Sequence, residues 1–268
     1  MPHRFTAIDQ LHVAYQQIYL SPHLDDVALS CGGAIARAVS QGQHILVVNV
    51  CSGEPDAQAG LSDFAQENHQ RWGLNAHDAV AQRLHEDVEA FETLGVDGLQ
   101  LDELDAIYRM PADYISNDTL FGNVAPNDPL QDRLFAQFNA LWQRYPDAIF
   151  YAPLAVGNHV DHQICFAAAR GLLREGASVT FYEDIPYVLH HRALETRLDD
   201  LGGASHFLPS TIDIDAFLAR KISAIECYTS QMSSLFGDAA AMAQQIRAYA
   251  EGLRPDVGTH GERIWLLR

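Results

Sequence analysis

Short apolar runs alternate with longer amphipathic stretches through most of this chain, and this alternation constrains the fold more than any other feature. The predicted strands of the main sheet are Gln17–Leu20, Ile45–Val50, Ile149–Ala152 and Val179–Tyr182. Ile45–Val50 is a continuous run rich in β-branched residues, as expected of a parallel strand covered on both faces. Repeated strand–helix–strand units require right-handed crossovers. The pattern therefore predicts an α/β fold with a Rossmann-like, mostly parallel sheet flanked by helices.

The segments between and after these strands predict the helices and two long loops. The predicted helices are Val27–Ser40, Ala76–Leu94, 161–175, 213–228 and 239–251, and Leu99–Leu101 and Arg263–Leu267 are further predicted strands. Ser52–Asn75 and Asp102–Asp132 are polar and rich in Gly, Pro, Asn and Asp, which is typical of lids and binding loops. There is no internal repeat or linker, so we expect one domain over residues 1–268.

A cluster of polar residues follows the first main strand, in the segment Ser21-Pro22-His23-Leu24-Asp25-Asp26. Ligands of open α/β sheets bind beyond the carboxyl ends of the strands, so a site is expected here. His23 and Asp26 are three residues apart and could reach one metal ion, while Asp25 points elsewhere. A helix cap would explain one carboxylate. It does not explain two adjacent carboxylates and an imidazole.

A second cluster, Gly157-Asn158-His159-Val160-Asp161-His162, follows the strand at Ile149–Ala152. It also lies at a strand-to-helix junction, so both clusters should emerge at the same edge of a parallel sheet. A catalytic zinc ion takes three protein ligands and keeps one position for water. A neighbouring carboxylate can then accept the proton of that water. The spacing alone leaves either His159 or His162 as the third ligand.

The two motifs together resemble the LmbE-like/PIG-L family of zinc-dependent N-deacetylases. The family signature is a Pro/Ala-His-x-Asp-Asp loop and a downstream His-x-Asp-His, which here are Pro22–Asp26 and His159–His162. Similar stretches also include Cys51-Ser52-Gly53-Glu54, Arg83-x-x-Glu86 and the segment from Lys221 to Gln231. The resemblance extends over nearly the whole chain.

This resemblance implies a role for each site residue. It implies that His23, Asp26 and His162 bind one Zn²⁺ per chain, although another divalent ion would suit the same donors. It assigns Asp25 as the general base and His159 as the group that stabilises the oxyanion. It further implies that a hydrogen bond to Asp161 orients His159, and that Arg83 and Asp105 bind sugar hydroxyls. Around Asp105 the sequence departs from the usual short turn of the family.

Composition excludes several other classes of protein. A formal net charge of −18 argues against a protein that coats nucleic acid or anionic lipid. The four cysteines have no repeated spacing, so we expect reduced thiols in a cytoplasmic protein. No apolar run approaches the roughly 18 residues that a membrane span requires. The oligomeric state is left open, and a homo-oligomer is compatible with the sequence.

The predicted function is removal of an N-acyl group, expected to be N-acetyl, from an N-acetylglucosamine-type sugar or glycoside. One alternative is a zinc amidohydrolase that acts on a non-sugar acyl-amine, since the same metal chemistry would serve. Another is a metal-binding module without turnover, which would predict loss of Asp25 or His159. A serine hydrolase is disfavoured because no Gly-x-Ser-x-Gly motif occurs, and a dinucleotide-binding protein because the first turn lacks Gly-x-Gly-x-x-Gly.

Overall fold

The computed structural model describes residues 2–56, 60–72, 76–254, 257 and 259–268. Within these residues one sheet is formed by β1 (Arg4–Phe5), β2 (Gln17–Ser21), β3 (Ile45–Asn49), β4 (Asp97–Gln100), β5 (Ile149–Pro153), β6 (Val179–Tyr182), β7 (Phe207–Asp213) and β8 (Gly261–Leu267). The α-helices are α1 (Asp26–Ser40), α2 (Asp63–Trp72), α3 (Ala76–Leu94), α4 (Ala106–Arg109), α5 (Asn117–Leu120), α6 (Leu130–Arg144), α7 (Val160–Glu175), α8 (Ala193–Asp200), α9 (Leu218–Glu226), α10 (Thr229–Leu235) and α11 (Ala239–Gly252).

The strands follow one another across the sheet in the order β1-β4-β3-β2-β5-β6-β8-β7. β1 to β6 pair in parallel with their neighbours, whereas β8 runs antiparallel to both β6 and β7. The predicted α/β fold with a mostly parallel sheet is therefore confirmed. The chain continues from β2 to β3, which lies on one side of β2, and later forms β5 on the other side of β2.

Both faces of the sheet are covered, as the uninterrupted apolar strands predict. On β2, Ile18 and Leu20 lie in one buried cluster with residues of α6 and α7. Tyr19 between them lies in the opposite cluster, with residues of α1, α3 and α9. Alternate side chains of one strand thus enter different layers of the core, and this clamps the carboxyl end of β2 between two sets of helices.

Element boundaries differ from the sequence prediction mainly near the end of the chain. The predicted helix over 213–228 is wrong at its start, because Asp213 ends β7 and α9 begins at Leu218. The sequence pattern does not predict β7, and its antiparallel pairing with β8, from Phe207 opposite Leu267 to Asp213 opposite Gly261, decides its conformation. The bounds predicted for α3 and β6 are confirmed.

Two features of the sequence have simple counterparts in the structure. All four cysteines carry free thiols, and three of them are buried. No helix in the described part of the chain combines the length and the apolar character needed to cross a bilayer.

Candidate active site

The two polar clusters meet at the carboxyl ends of β2 and β5, which are neighbours in the sheet. β2 also pairs with β3, so the chain connections diverge to opposite sides between β2 and β5. Such a switch point opens a crevice beyond the carboxyl ends of the strands, where α/β proteins bind their ligands. The fold thus brings both predicted motifs to one place.

Local hydrogen bonds shape the loop that follows β2. The Ser21 hydroxyl donates to the carbonyl of His23 at 2.6 Å and accepts the backbone N–H of Val27 at 3.3 Å. The backbone N–H of His23 donates to Oδ2 of Asp26 at 2.8 Å. Asp25 precedes α1, but its side chain makes no capping hydrogen bond. The carboxylate of Asp25 is therefore not used to cap the helix.

Three donor atoms converge where His23 and Asp26 line the crevice. Asp26 Oδ2 lies 3.3 Å from His23 Nδ1 and 3.3 Å from His162 Nε2, and the two nitrogens are 3.4 Å apart. All three side chains are buried. The donor atoms of His23, His159 and His162 also lie within 4.8 Å of one another. His162 is nevertheless the histidine that completes the triangle with Asp26.

This triangle fits a divalent metal ion. Tetrahedral zinc, with bonds of about 2.0–2.2 Å to nitrogen and oxygen, keeps its donors roughly 3.3–3.6 Å apart. The spacing of the three donor atoms matches that requirement. Two imidazoles and one carboxylate are also a donor set that catalytic zinc sites use. His23, Asp26 and His162 would hold the ion next to the crevice.

Each of the two histidines is held by a second carboxylate through its outer nitrogen. Nδ1 of His162 lies 2.7 Å from Oδ1 of Asp184, and Nε2 of His23 lies 3.1 Å from Oδ2 of Asp161. Such contacts fix the ring orientation and raise the basicity of the inner nitrogen. Sequence reasoning missed Asp184. Its position just after β6, the strand next to β5, is a signal that could have identified it.

The electrostatic field at the triangle strongly favours cations. Burial alone would lower the pKa of His162, but the carboxylates of Asp26 and Asp184 raise it to about 9. Burial likewise opposes ionisation of Asp26, yet the two imidazoles lower the pKa of its carboxyl. A metal ion would displace protons from the same nitrogens, so this field favours a dication as well.

His159 lies beside the triangle with a different electrostatic character. Its Nδ1 accepts the backbone N–H of Asp161 at 3.2 Å. Burial, and then the neighbouring imidazole of His23, hold the pKa of His159 well below its usual range. The ring is therefore neutral, and the proton that cannot sit on Nδ1 is carried by Nε2. His159 presents a neutral N–H donor to the crevice.

The expected hydrogen bond between the carboxylate of Asp161 and His159 is not formed. Asp161 Oδ2 is 3.9 Å from Nδ1 of His159. The carboxylate instead contacts His23, accepts the backbone N–H of Ala106 at 3.1 Å and pairs with Nη2 of Arg109 at 2.6 Å. Arg109, the last residue of α4, holds the carboxylate through Oδ1. Sequence spacing could not reveal this partner.

Asp25 and Arg83 form an ion pair at the wall of the crevice. Nη2 of Arg83 lies 3.2 Å from Oδ1 of Asp25. Burial raises the pKa of the Asp25 carboxyl, and Arg83 partly offsets that effect. A carboxylate with a raised pKa is suited to accept a proton near neutral pH. Arg83, expected at sugar hydroxyls, thus also contacts the expected base.

Asp105 lies on the same wall and makes two contacts. Its Oδ1 caps α4 by accepting the backbone N–H of Ile107 at 3.2 Å, and its Oδ2 lies 3.4 Å from Nε2 of His23. The crevice at this wall has a volume of about 280 Å³. Its other lining residues include the polar Asn68, Asn117, Gln231 and Ser234 and the apolar Leu29, Leu120, Phe121 and Leu235. It therefore offers both hydrogen-bonding and apolar surface next to the donor triangle.

Comparisons with known proteins identify relatives of this chain. Residues 18–173 match the family model described as "PIG-L: GlcNAc-PI de-N-acetylase". The chain is 29% identical over 240 residues to the 2'-N-acetylparomamine deacetylase of Niallia circulans, covering 83% of each protein. It is 30% identical over 219 residues to the 2'-N-acetylparomamine deacetylase of Streptomyces fradiae, covering 80% of this chain and 72% of that enzyme.

A solved structure is similar along nearly the whole chain. The zinc-inhibited form of a teicoplanin deacetylase superposes with a TM-score of 0.77 at 27% sequence identity, covering 93% of this chain and 96% of the other. The similarity therefore extends beyond the residues that the family model matches.

Proposed function

We propose a function for this chain, which belongs to the PIG-L family of GlcNAc-PI de-N-acetylases. It is a zinc-dependent hydrolase that removes the N-acetyl group of an N-acetylglucosamine-type sugar or glycoside. The observation that carries this proposal is the triangle of His23, Asp26 and His162 donor atoms, 3.3–3.4 Å apart. The same crevice is lined by the carboxylate of Asp25, which makes no helix cap, and by the neutral imidazole of His159. The bond cleaved is the carbon–nitrogen bond of an amide that is not a peptide.

His23, Asp26 and His162 would hold the metal ion. When bound, zinc supplies Lewis acidity, which polarises a carbonyl group and acidifies water. The donor set supports zinc. The related teicoplanin deacetylase has been solved in a zinc-inhibited form, which supports binding of a divalent ion at this kind of site. Elemental analysis of the purified protein tests the identity of the ion, with one zinc per chain expected.

Asp25 is the residue proposed to move the proton. Its carboxylate makes no cap bond to α1, and Arg83 holds it at 3.2 Å on the wall of the crevice. It accepts a proton from the attacking water as the carbon–oxygen bond forms. It then returns that proton to the amine nitrogen as the carbon–nitrogen bond breaks, which gives acetate and the free amine. One carboxylate can therefore serve both halves of the reaction.

His159 is proposed to stabilise the carbonyl oxygen as negative charge develops on it. Its Nδ1 is fixed by the backbone N–H of Asp161, so the ring orientation is set before substrate binds. The Nε2–H remains as a donor for the crevice. Donors fixed in advance, in a site that excludes water, stabilise an oxyanion without a cost of reorganisation.

The crevice lining supports an amino sugar as the substrate. Arg83, Asp105, Asn68 and Asn117 provide donors and acceptors for ring hydroxyls, while Phe121 provides an aromatic face. The similarity to deacetylases of 2'-N-acetylparomamine and of teicoplanin directs the choice toward N-acetylated amino glycosides.

The four free thiols support a reducing compartment, and we propose that the enzyme is cytoplasmic.

A substrate panel tests the proposed function. The zinc-loaded protein is incubated with N-acetylglucosamine, its β-glycosides and a ring-matched acyl-amine without hydroxyls, and the released amine is quantified. We expect turnover of the sugars and slower turnover of the acyl-amine. Faster turnover of the acyl-amine would replace the sugar assignment by a general amidohydrolase. No release of amine from any compound would favour a metal-binding module.

A further inference from the structure

Arg109 lies in a buried ion cluster outside the crevice lining. Its side chain is only 3% exposed. The guanidinium makes two parallel bonds to Asp128, from Nε to Oδ1 and from Nη2 to Oδ2, each 2.8 Å long. The same Nη2 donates to Oδ1 of Asp161 at 2.6 Å. One cation thus joins two carboxylates that lie far apart along the chain.

The cluster reaches the donor triangle through the other oxygen of Asp161. Oδ2 of Asp161 lies 3.1 Å from Nε2 of His23, whose Nδ1 faces Asp26. Asp161 is fully buried. Asp128, Arg109, Asp161 and His23 therefore form a continuous chain of hydrogen-bonded side chains.

The same cluster organises the long loop between β4 and α6. Asp128 also accepts the hydroxyl of Tyr114 at 2.9 Å and the backbone N–H of Leu130 at 3.0 Å. Arg109 additionally donates to the backbone carbonyl of Leu104. This loop supplies Asp105, Asn117 and Phe121 to the crevice, so its conformation determines much of the substrate wall.

Stability alone is a weak reason for such a cluster. Buried ion pairs often stabilise a protein no more than apolar residues of the same volume would, because each charge loses its hydration. Their better-attested use is to fix one arrangement of the groups around them. The arrangement fixed here is that of Asp161 against His23.

We propose that Arg109 is a positioning residue for the metal-binding His23, acting through Asp161. This inference rests on the proposed metal site. The planar guanidinium can bond Asp128 twice and still reach Asp161, whereas the point charge of a lysine cannot reproduce that fork. Arg109 therefore contributes the position of its guanidinium nitrogens as well as a positive charge.

The test uses variants that separate position from charge. Arg109→Met combined with Asp128→Asn removes one positive and one negative charge, so the net charge near His23 is unchanged. Arg109→Lys retains the charge and loses the fork. Tyr114→Phe is the matched control, because it removes a buried bond to Asp128 from the same loop without touching Asp161.

Two readouts besides activity are measured for each variant: zinc affinity by competition with a chelator, and the visible spectrum of the cobalt-substituted protein. Loss of groups that orient a metal ligand typically costs about 10–100-fold in affinity. We expect zinc affinity about tenfold or more weaker in Arg109→Lys and in the double variant, with a changed cobalt spectrum. Tyr114→Phe should lower the melting temperature yet keep zinc affinity within about twofold of wild type.

Unchanged zinc affinity in both Arg109 variants would overturn the proposal, and so would an equal loss in Tyr114→Phe. If the double variant does not fold, Arg109→Lys decides alone. His23→Ala is measured in parallel. If it binds zinc like wild type, the proposed metal site itself fails. If it loses zinc while the Arg109 variants keep it, only the coupling through Arg109 fails.

Discussion

Nδ1 of His162 and Oδ1 of Asp184 lie 2.7 Å apart, and both side chains are fully buried. The other oxygen of Asp184 accepts the backbone N–H of Val156 at 2.8 Å, which ties the carboxylate to the loop after β5. With its outer nitrogen held in this way, His162 can only direct Nε2 toward Asp26. Asp184 therefore fixes one corner of the donor triangle, although it belongs to neither of the two sequence motifs.

We expect Asp184→Asn to weaken metal binding about 10–100-fold, because the amide orients His162 less firmly and makes its inner nitrogen a poorer donor. Glu183→Gln is the control. Glu183 precedes Asp184 but bonds Arg263 and Trp265 instead of His162. Metal affinities from chelator competition should separate the two variants. Equal affinities would show that Asp184 does not support His162.

The ligand assignment predicts how metal content responds to single substitutions. Alanine at His23, Asp26 or His162 should lower zinc occupancy sharply, since each removes one corner of the donor triangle. His159→Ala should retain most of the metal. Elemental analysis of the four purified proteins provides the measurement. An empty His159→Ala together with a full His162→Ala would reverse the roles of the two histidines.

The role of Asp25 predicts a loss of turnover without a loss of metal. Asp25→Asn preserves the shape of the side chain but cannot accept a proton from water. We expect near-normal zinc content and a deacetylation rate reduced by about 10²-fold or more, the usual contribution of a general base. Near-wild-type turnover of this variant would rule out Asp25 as the base.

Much of the fold follows from local sequence. β2, β3, β5 and β6 are short apolar segments covered on both faces, and their patterns are strong. α6 is absent from the predicted helices. Its sequence nevertheless carries a helical signal, because its buried residues recur at the spacing of one helix face. β7 carries little local signal. It is an edge strand with a mostly exposed pattern and a proline, and only its pairing with β8 defines it.

The site is predictable to the extent that its residues lie within two contiguous motifs. His23, Asp26 and His162 are expected together and lie together, because a parallel sheet places both junctions at one edge. The partner of Asp161 is not predictable. Arg109 ends the short helix α4, 52 residues earlier, and nothing in the local pattern indicates where this segment folds back.

The contacts of Asp161 predict a phenotype in metal binding. If Asp161 served only His159, Asp161→Asn would reduce turnover and leave metal affinity unchanged. Because its carboxylate bonds His23 at 3.1 Å instead, we expect zinc affinity about tenfold or more weaker. His159→Gln is the comparison, with metal retained and turnover about 10²–10³-fold lower, as for loss of an oxyanion donor. Zinc affinities of the two variants in the opposite order would contradict this interpretation.

Asp87, a carboxyl outside the donor triangle, predicts a pH dependence of stability. This carboxyl on α3 accepts the side-chain N–H of Asn49 at 2.6 Å and the hydroxyl of Tyr228 at 2.9 Å. Burial raises its pKa to about 8, since these two bonds offset the lost hydration only in part. In the unfolded chain the pKa is about 3.9. Between these values the folded protein binds one proton more than the unfolded chain.

The free energy of unfolding should therefore fall as pH rises from about 4 to 8, with a slope of at most about 1.4 kcal/mol per pH unit from this group. Above about pH 8 the contribution of Asp87 is fully lost. Asp87→Asn keeps a neutral side chain at every pH, and the hydroxyl of Tyr228 can rotate to accept from its amide. Denaturant unfolding at pH 5, 7 and 9 gives the comparison. We expect the variant to lose less stability than wild type across this range. Parallel curves for the two proteins would show that Asp87 is already ionised in the folded state at pH 5.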